Sequence, residues 1–285
     1  MARTILVGVT GTEPSRAALR WSMKRAAAIG AEVTLCYVLD DGWATIGARM
    51  LSELREDASR LLEGEADYAR SIAPEVVVHT QLLRGSLMKE LAAASKSVDF
   101  VAVGTHKTGF VNGKVFGSRS LLLAAEAHAP VAVVPQGSPR DGRGVVVGVD
   151  DSAAGRAAIR FGANEAERAG ETLTLIRADD LPDIPVRNDA MHRELRQHVE
   201  SRASTLLADA ADRARSVSPT VEVRTRSVPR PAAAVLADAA AGAALLVIGS
   251  SRRDESGQSM VGSVSHDVLI NLTGPTVVVH PGDVD

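Results

Sequence analysis

Short runs of β-branched and other apolar residues alternate along this chain with longer stretches in which apolar positions return every three or four residues. The short runs read as strands and the longer stretches as amphipathic helices. Strands are expected near 4–9, 32–38, 75–82, 98–104 and 131–134, and again near 144–149, 172–178, 220–227, 243–249 and 276–279. The clearest helix spans 188–216, where Met191, Leu195, Val199, Ala203, Leu206, Ala210 and Ala214 form a stripe expected to pack on a sheet. Strands that are apolar throughout, separated by helices, imply parallel sheets covered on both faces. The pattern is that of an α/β protein.

The same pattern is written twice. Ile5-Leu6-Val7-Gly8-Val9 returns as Val145-Val146-Val147-Gly148-Val149, and Arg16-Ala17-Ala18-Leu19-Arg20 as Arg156-Ala157-Ala158-Ile159-Arg160. Further on, Gly104 answers to Gly249, Gly117-Ser118 to Gly262-Ser263 and Pro130 to Pro275, with five more residues in the second copy. Units of this length are whole domains rather than solenoid repeats. The expected organisation is a first domain over 1–137, a Pro/Gly-containing linker over 138–143 and a second domain over 144–285. Each reads β-α-β-α-β-α-β-α-β. Right-handed crossovers leave few arrangements, and both 2-1-3-4-5 and 3-2-1-4-5 fit. Either order has a point where the winding reverses, and ligands bind outside the carboxyl ends of the strands at that point.

The fourth strand of each copy is followed by a long polar loop that closes on Gly-Ser at a helix start. Gly104 precedes Gly117-Ser118 by the same thirteen positions that separate Gly249 from Gly262-Ser263. Such a helix start suits an anion, because its first amides lack intrahelical acceptors and the helix dipole favours negative charge. The following residues, Arg119 and Ser120 in the first copy and Val264 and Ser265 in the second, share that first turn.

With these motifs the chain resembles the universal stress protein family, in its tandem form, over nearly its whole length. The family pattern is Gly-x2-Gly-x9-Gly-Ser/Thr after strand 4, with an aspartate at the end of strand 1. The resemblance implies the order 3-2-1-4-5 in each five-stranded parallel sheet and a pseudo-dimer of the two domains. It also implies self-association through the last strand, here Val131–Val134 and Thr276–Val279, and pairing of these two strands within the chain is the expectation. Further, it implies ATP, alone or with Mg²⁺, as the cofactor. The glycine-rich loop would hold phosphates and ribose, while the strand 1 aspartate and a backbone position at the end of strand 2 would hold adenosine. Residue by residue, the outer motif positions are Gly104, Gly117 and Ser118, then Gly249, Gly262 and Ser263. The second glycine is replaced by Lys107 and Arg252, and the aspartate is Asp150 in the second copy but Thr10 in the first. Val38 and Ala178 take the strand 2 position. The side chains of Lys107 and Arg252 would either obstruct the ribose-phosphate or donate to the phosphates.

Composition narrows the function. With 285 residues, 45% hydrophobic and 24% charged, the chain has the balance of a globular protein. A net charge of −3 and only 3% aromatic residues argue against nucleic acid as a partner. No apolar stretch reaches the roughly 20 residues of a membrane span. The N-terminal apolar run is too short for a signal-peptide core, so a cytoplasmic location and no membrane partner are expected. Cys36 has no internal disulfide partner and sits in an apolar run as a core residue. The segment Gly109–Val115 fails as a Walker A loop, with three residues between its glycines and Val115 where Ser or Thr is needed. The seven histidines form no metal-ligand spacing, His106 reads as a solvated loop residue, and no Gly-x-Ser-x-Gly elbow occurs. Without a nucleophile–base pair, no enzymatic activity is expected. The expected function is a stress-response regulator binding ATP at the strand 1/strand 4 switch point, preferentially in the second domain. The alternative is an interaction or scaffold protein whose ATP sites have decayed.

Overall fold

The computed structural model of the chain describes residues 3–40, 48–106, 109–111, 114–116, 118–137, 142–179, 189–251 and 261–283. Two compact units result, one built on Met1–Ser138 and the other on Pro139–Ser251 and Gly262–Asp285. In the first, β1 (Arg3–Gly8), α1 (Glu13–Ile29), β2 (Ala31–Leu39), α2 (Ala48–Ile72), β3 (Val78–Arg84) and α3 (Leu87–Ala94) follow one another. Then come β4 (Phe100–Thr105), β5 (Gly109–Val111), β6 (Lys114–Phe116), α4 (Ser118–Glu126) and β7 (Val131–Pro135). The second unit runs through β8 (Val145–Gly148), α5 (Ala153–Ala169), β9 (Leu173–Ala178), α6 (Asp189–Val217) and β10 (Val223–Val228). It ends with α7 (Ala232–Ala240), β11 (Leu245–Gly249), α8 (Ser263–Ile270) and β12 (Thr276–Val279).

Both sheets are parallel, ordered β3-β2-β1-β4-β7 and β10-β9-β8-β11-β12, which is 3-2-1-4-5 in each unit. The first strand is central. Val7 lies between Leu35 and Ala102, and Val147 between Leu175 and Val247. Because helices cover both faces, consecutive residues Ile5, Leu6 and Val7 are all buried, as are Val145, Val146 and Val147. That explains why these strands read as unbroken apolar runs. The outermost strands β3 and β10 are mostly exposed and correspondingly polar, with His79, Thr80 and Gln81 in one and Arg224, Thr225 and Arg226 in the other. Charged and polar side chains on such an edge discourage pairing with other chains.

Three expectations shift. The third strand of each unit begins three residues late, because the chain leaves the preceding helix through a turn: Val76 N–H donates to Ala73 O, and Val221 N–H to Ser218 O. In α6 the buried face is Ala203, Leu207, Ala210, Ala211 and Ala214, a 3.6-residue period on which Leu206 sits only at the margin. Met191 is 61% exposed, since none of the described side chains in the first turns of α6 is buried. The polar loop after β4 contains a small antiparallel hairpin, with Gly109 opposite Phe116 and Val111 opposite Lys114. The Asn112-Gly113 pair between these strands is a strong two-residue turn signal, although both residues lie outside the described set.

Two close approaches hold the switch point together. A Cβ at Gly104 would strike the backbone of Pro14 in the first turn of α1, and one at Gly249 would strike that of Ala154 in α5. These glycines let a helix backbone rest on the end of the fourth strand. Elsewhere in the first core, Cys36 is buried, and desolvation, reinforced by the Glu90 carboxylate, pushes its thiol up to about 12.

Replacing Gly249 or Gly104 by Val should destabilise its domain by at least the ~1–3 kcal/mol typical of overpacking, read from denaturant unfolding. Cys36, whose unfolded pKa is near ~8.5, should resist a thiol reagent at that pH in the native protein and react once unfolded. Equal rates in both states would refute its burial.

Candidate functional site

In each unit a cleft opens at the carboxyl ends of the first and fourth strands, where the winding reverses. In the second unit the local chain is shaped by one aspartate. Asp150 follows β8, and its Oδ1 accepts from both the amide and the hydroxyl of Ser152, at 3.0 and 2.6 Å. The Ser152 Oγ in turn accepts from Gly155 N–H at 2.9 Å and caps α5. Gly155 is glycine for a local reason, since a Cβ there would collide with Asp150 Oδ1. The aspartate thus stands beside the cleft on a hydrogen-bonded capping turn.

That cleft has a volume of 260 Å³. Of the residues expected from sequence, Asp150, Ala178, Gly249, Val264 and Ser265 all line it. Ile176, Leu236 and Ile248 supply apolar walls. Arg177 also lines it, held by a hydrogen bond to Val149 O at 3.2 Å and an ion pair with Asp179. Gly262 and Ser263 stand at the N-terminus of α8, outside the described lining. Gly262 N–H donates to Ser250 Oγ, and Ser265 Oγ donates to Gly249 O, tying the start of α8 to the end of β11. The buried ring of His280 adds a second tie, its Nδ1 donating to Ser250 O at 2.6 Å. Arg252 lies outside the described residues.

The first unit builds the equivalent place differently. Thr10 N–H donates to the buried Ser15 Oγ at 2.9 Å, and the Thr10 and Thr12 hydroxyls are hydrogen-bonded to each other. Ser15 and Thr10 occupy the positions of Gly155 and Asp150, so the two pairs have been exchanged together: carboxylate with glycine, hydroxyl with serine. Thr12, unlike Ser152, makes no side-chain capping bond. The cleft is larger, 640 Å³, and Thr10, Gly104, Arg119 and Ser120 line it. Val38, buried in β2, is not among the described lining residues. Ser118 opens α4, while Lys107 and Gly117 lie outside the described residues. His106 is exposed, as expected, but also lines this cleft.

Sequence reasoning did not find the cleft residues contributed by α3 and α7. Leu87, Met88 and Leu91 on one side and Ala232 and Leu236 on the other carry no motif, being ordinary members of apolar helix faces. Arg177 carried no signal either. The Ser15/Gly155 difference was legible in the alignment of the repeats, though its meaning depends on where Asp150 points. Among the described residues no cluster of three or more metal-ligating side chains occurs, and no helix is long and apolar enough to cross a membrane.

The profile of the Universal stress protein family matches residues 1–135 and again residues 143–280. A universal stress protein of Mycolicibacterium smegmatis is 30% identical over 289 residues, covering 97% of either chain. Another, from Mycobacterium tuberculosis, is 30% identical over 303 residues, 96% of this chain and 94% of its own. The crystal structure of a universal stress protein from Archaeoglobus fulgidus covers 98% of this chain and 97% of its own, with a TM-score of 0.71 at 16% identity.

Ser152→Ala should destabilise the second domain by about 0.5–2 kcal/mol, the usual cost of losing an N-cap, whereas Thr12→Ala should have a smaller effect on the first. Hydrogen exchange in the first turns of α5 and α1 reads each separately. Equal protection losses would contradict the asymmetric caps.

Proposed function

This chain belongs to the universal stress protein family, and on that footing we propose that it is a stress-response protein that binds ATP in its second-domain cleft. The observation that carries this reading is convergence: five residues singled out from widely separated positions, Asp150, Ala178, Gly249, Val264 and Ser265, line one cleft at the switch point. The residues present fit an adenine nucleotide. Ile176, Leu236 and Ile248 offer apolar surface to a base, the Asp150 carboxylate accepts hydrogen bonds from adenosine donors, and the first turn of α8 offers amides to phosphate. Arg252 would add a charged donor to the phosphates. We read the protein as a binding protein, with the nucleotide as its ligand and no catalytic residue assigned.

Losing one charge-assisted hydrogen bond in a site costs roughly 1.5–3 kcal/mol, or about 10- to 150-fold in affinity. Asp150→Ala should therefore weaken ATP binding by about that factor. A bulky replacement at Gly262, next to the α8 amides, should remove most of it, and one at Gly117 should change it little. Titration calorimetry on the three variants, together with assay of nucleotide released on denaturing the purified protein, tests this. Should the Gly117 variant lose the tighter site while the Asp150 variant keeps it, the domain assignment is reversed. If no nucleotide is released and added ATP does not bind, the scaffold reading replaces it.

A further inference from the structure

The first-domain cleft differs from its counterpart in size and in the chemistry of its walls. Aligning the repeats shows three coordinated changes. The strand 1 aspartate is gone, replaced by Thr10, whose backbone amide is already satisfied by Ser15. Two small residues on the helix facing the cleft, Ala232 and Ala233 in the second domain, are Leu87 and Met88 in the first. At the mouth, Val264 and Ser251 of the second domain correspond to Arg119 and His106. An arginine and a histidine thus stand where the second domain has Val264 and Ser251, and the strand 1 carboxylate is gone. Among the described residues lining the cleft there is no Asp or Glu.

The walls have also moved. In the second domain the end of β9 contributes Ile176, Arg177 and Ala178 to the cleft, whereas the described lining of the first includes nothing from β2. The volume instead opens toward α3, where Leu87, Met88 and Leu91 face it. Such a space has an apolar interior and an arginine at its rim, and its described lining offers no acceptor carboxylate for a ribose or an amino group.

We propose that the first-domain cleft is a binding site for an aliphatic carboxylate, a fatty-acid-like anion, and not a second nucleotide site. The hydrocarbon chain would pack on Leu87, Met88 and Leu91, where methionine's flexible thioether adapts to a flexible chain. The carboxylate would lie at the mouth beside Arg119, whose planar fork matches a carboxylate in bidentate geometry. His106 stands at the same rim. A volume of 640 Å³ is in the usual range for a site that encloses most of a small organic ligand. The inference does not depend on ATP binding in the second domain.

Titration of the full chain with decanoate, followed by calorimetry, tests it. Saturable binding at one equivalent is expected. Decanol, which has the same tail without the charge, should bind at least about tenfold more weakly. Arg119→Ala should weaken decanoate by about the same factor, and Met88→Asp should remove binding, while neither changes ATP affinity. Asp150→Ala should leave decanoate binding intact. Arg119 is exposed, so its replacement leaves the fold undisturbed, and hydrogen exchange in β1 and α1 of the Met88 variant reports whether the first domain is folded. Absence of binding, non-saturable uptake, equal affinity for decanol, or displacement of decanoate by one equivalent of ATP would each overturn the proposal. Failure of ATP to bind anywhere would refute the second-domain reading and leave this one standing, with circular dichroism then reporting the fold.

Discussion

The backbone of a helix resting directly on the end of a β-strand is the contact on which both clefts depend. Gly104 is next to last in β4 and Gly249 is last in β11, and the first turns of α1 and α5 lie where a side chain at either glycine would project. That approach sets how far the helix after the first strand leans over the fourth. It therefore sets the width of the crevice at which the winding reverses. The glycine that begins the loop motif has a packing duty independent of any phosphate. A motif read only as ligand chemistry would miss half the reason for its first residue.

On this shared frame the two domains have taken different local solutions at one turn. In the second, a carboxylate is braced by the Ser152 cap and needs a glycine opposite it. In the first, a serine hydroxyl fills the space and accepts from the backbone of Thr10. Neither substitution works alone: an aspartate opposite Ser15 would meet its side chain, and a threonine opposite Gly155 would leave the Thr10-type amide without its acceptor. The pairs differ as units because packing inside a protein is dense enough that one atom displaces another. Electrostatics follows from the same exchange, since without the acid Arg119 is the charged residue among the described lining of the first cleft.

Helix α3 and its counterpart α7 decide the remaining difference. Both cover the sheet through their apolar faces, but Leu87 and Met88 carry bulk into the cleft where Ala232 and Ala233 occupy the same repeat positions. The larger side chains accompany a larger opening, because the first cleft extends along α3 instead of against the end of β2. Two copies of one scaffold thereby present a compact crevice lined by Asp150 and Arg177 and a roomier one with Arg119 at its rim. The sheets beneath them have the same strand order.

Much of this was legible in the residues themselves. Unbroken apolar runs at Ile5–Val7 and Val145–Val147 determine buried parallel strands, because only a sheet covered on both faces hides consecutive side chains. The doubling of the pattern determines two domains, and the matching Gly-Ser positions locate the crevice. Local sequence could not state what surrounds each candidate. Asp150 meets Ser152 and Gly155 through a turn, a pairing visible in the spacing only after the carboxylate is placed. Arg177 reaches the cleft from the end of a neighbouring strand, and Leu87 and Met88 from a helix more than seventy positions beyond Thr10. Such contacts arise from sheet register and helix orientation rather than from spacing along the chain. The sequence by itself determined the elements, their repetition and the end of the sheet where a ligand would sit. The tertiary structure decided which side chains share each cleft, and so the charge and volume each one offers, because those depend on distances between segments that the chain order leaves open.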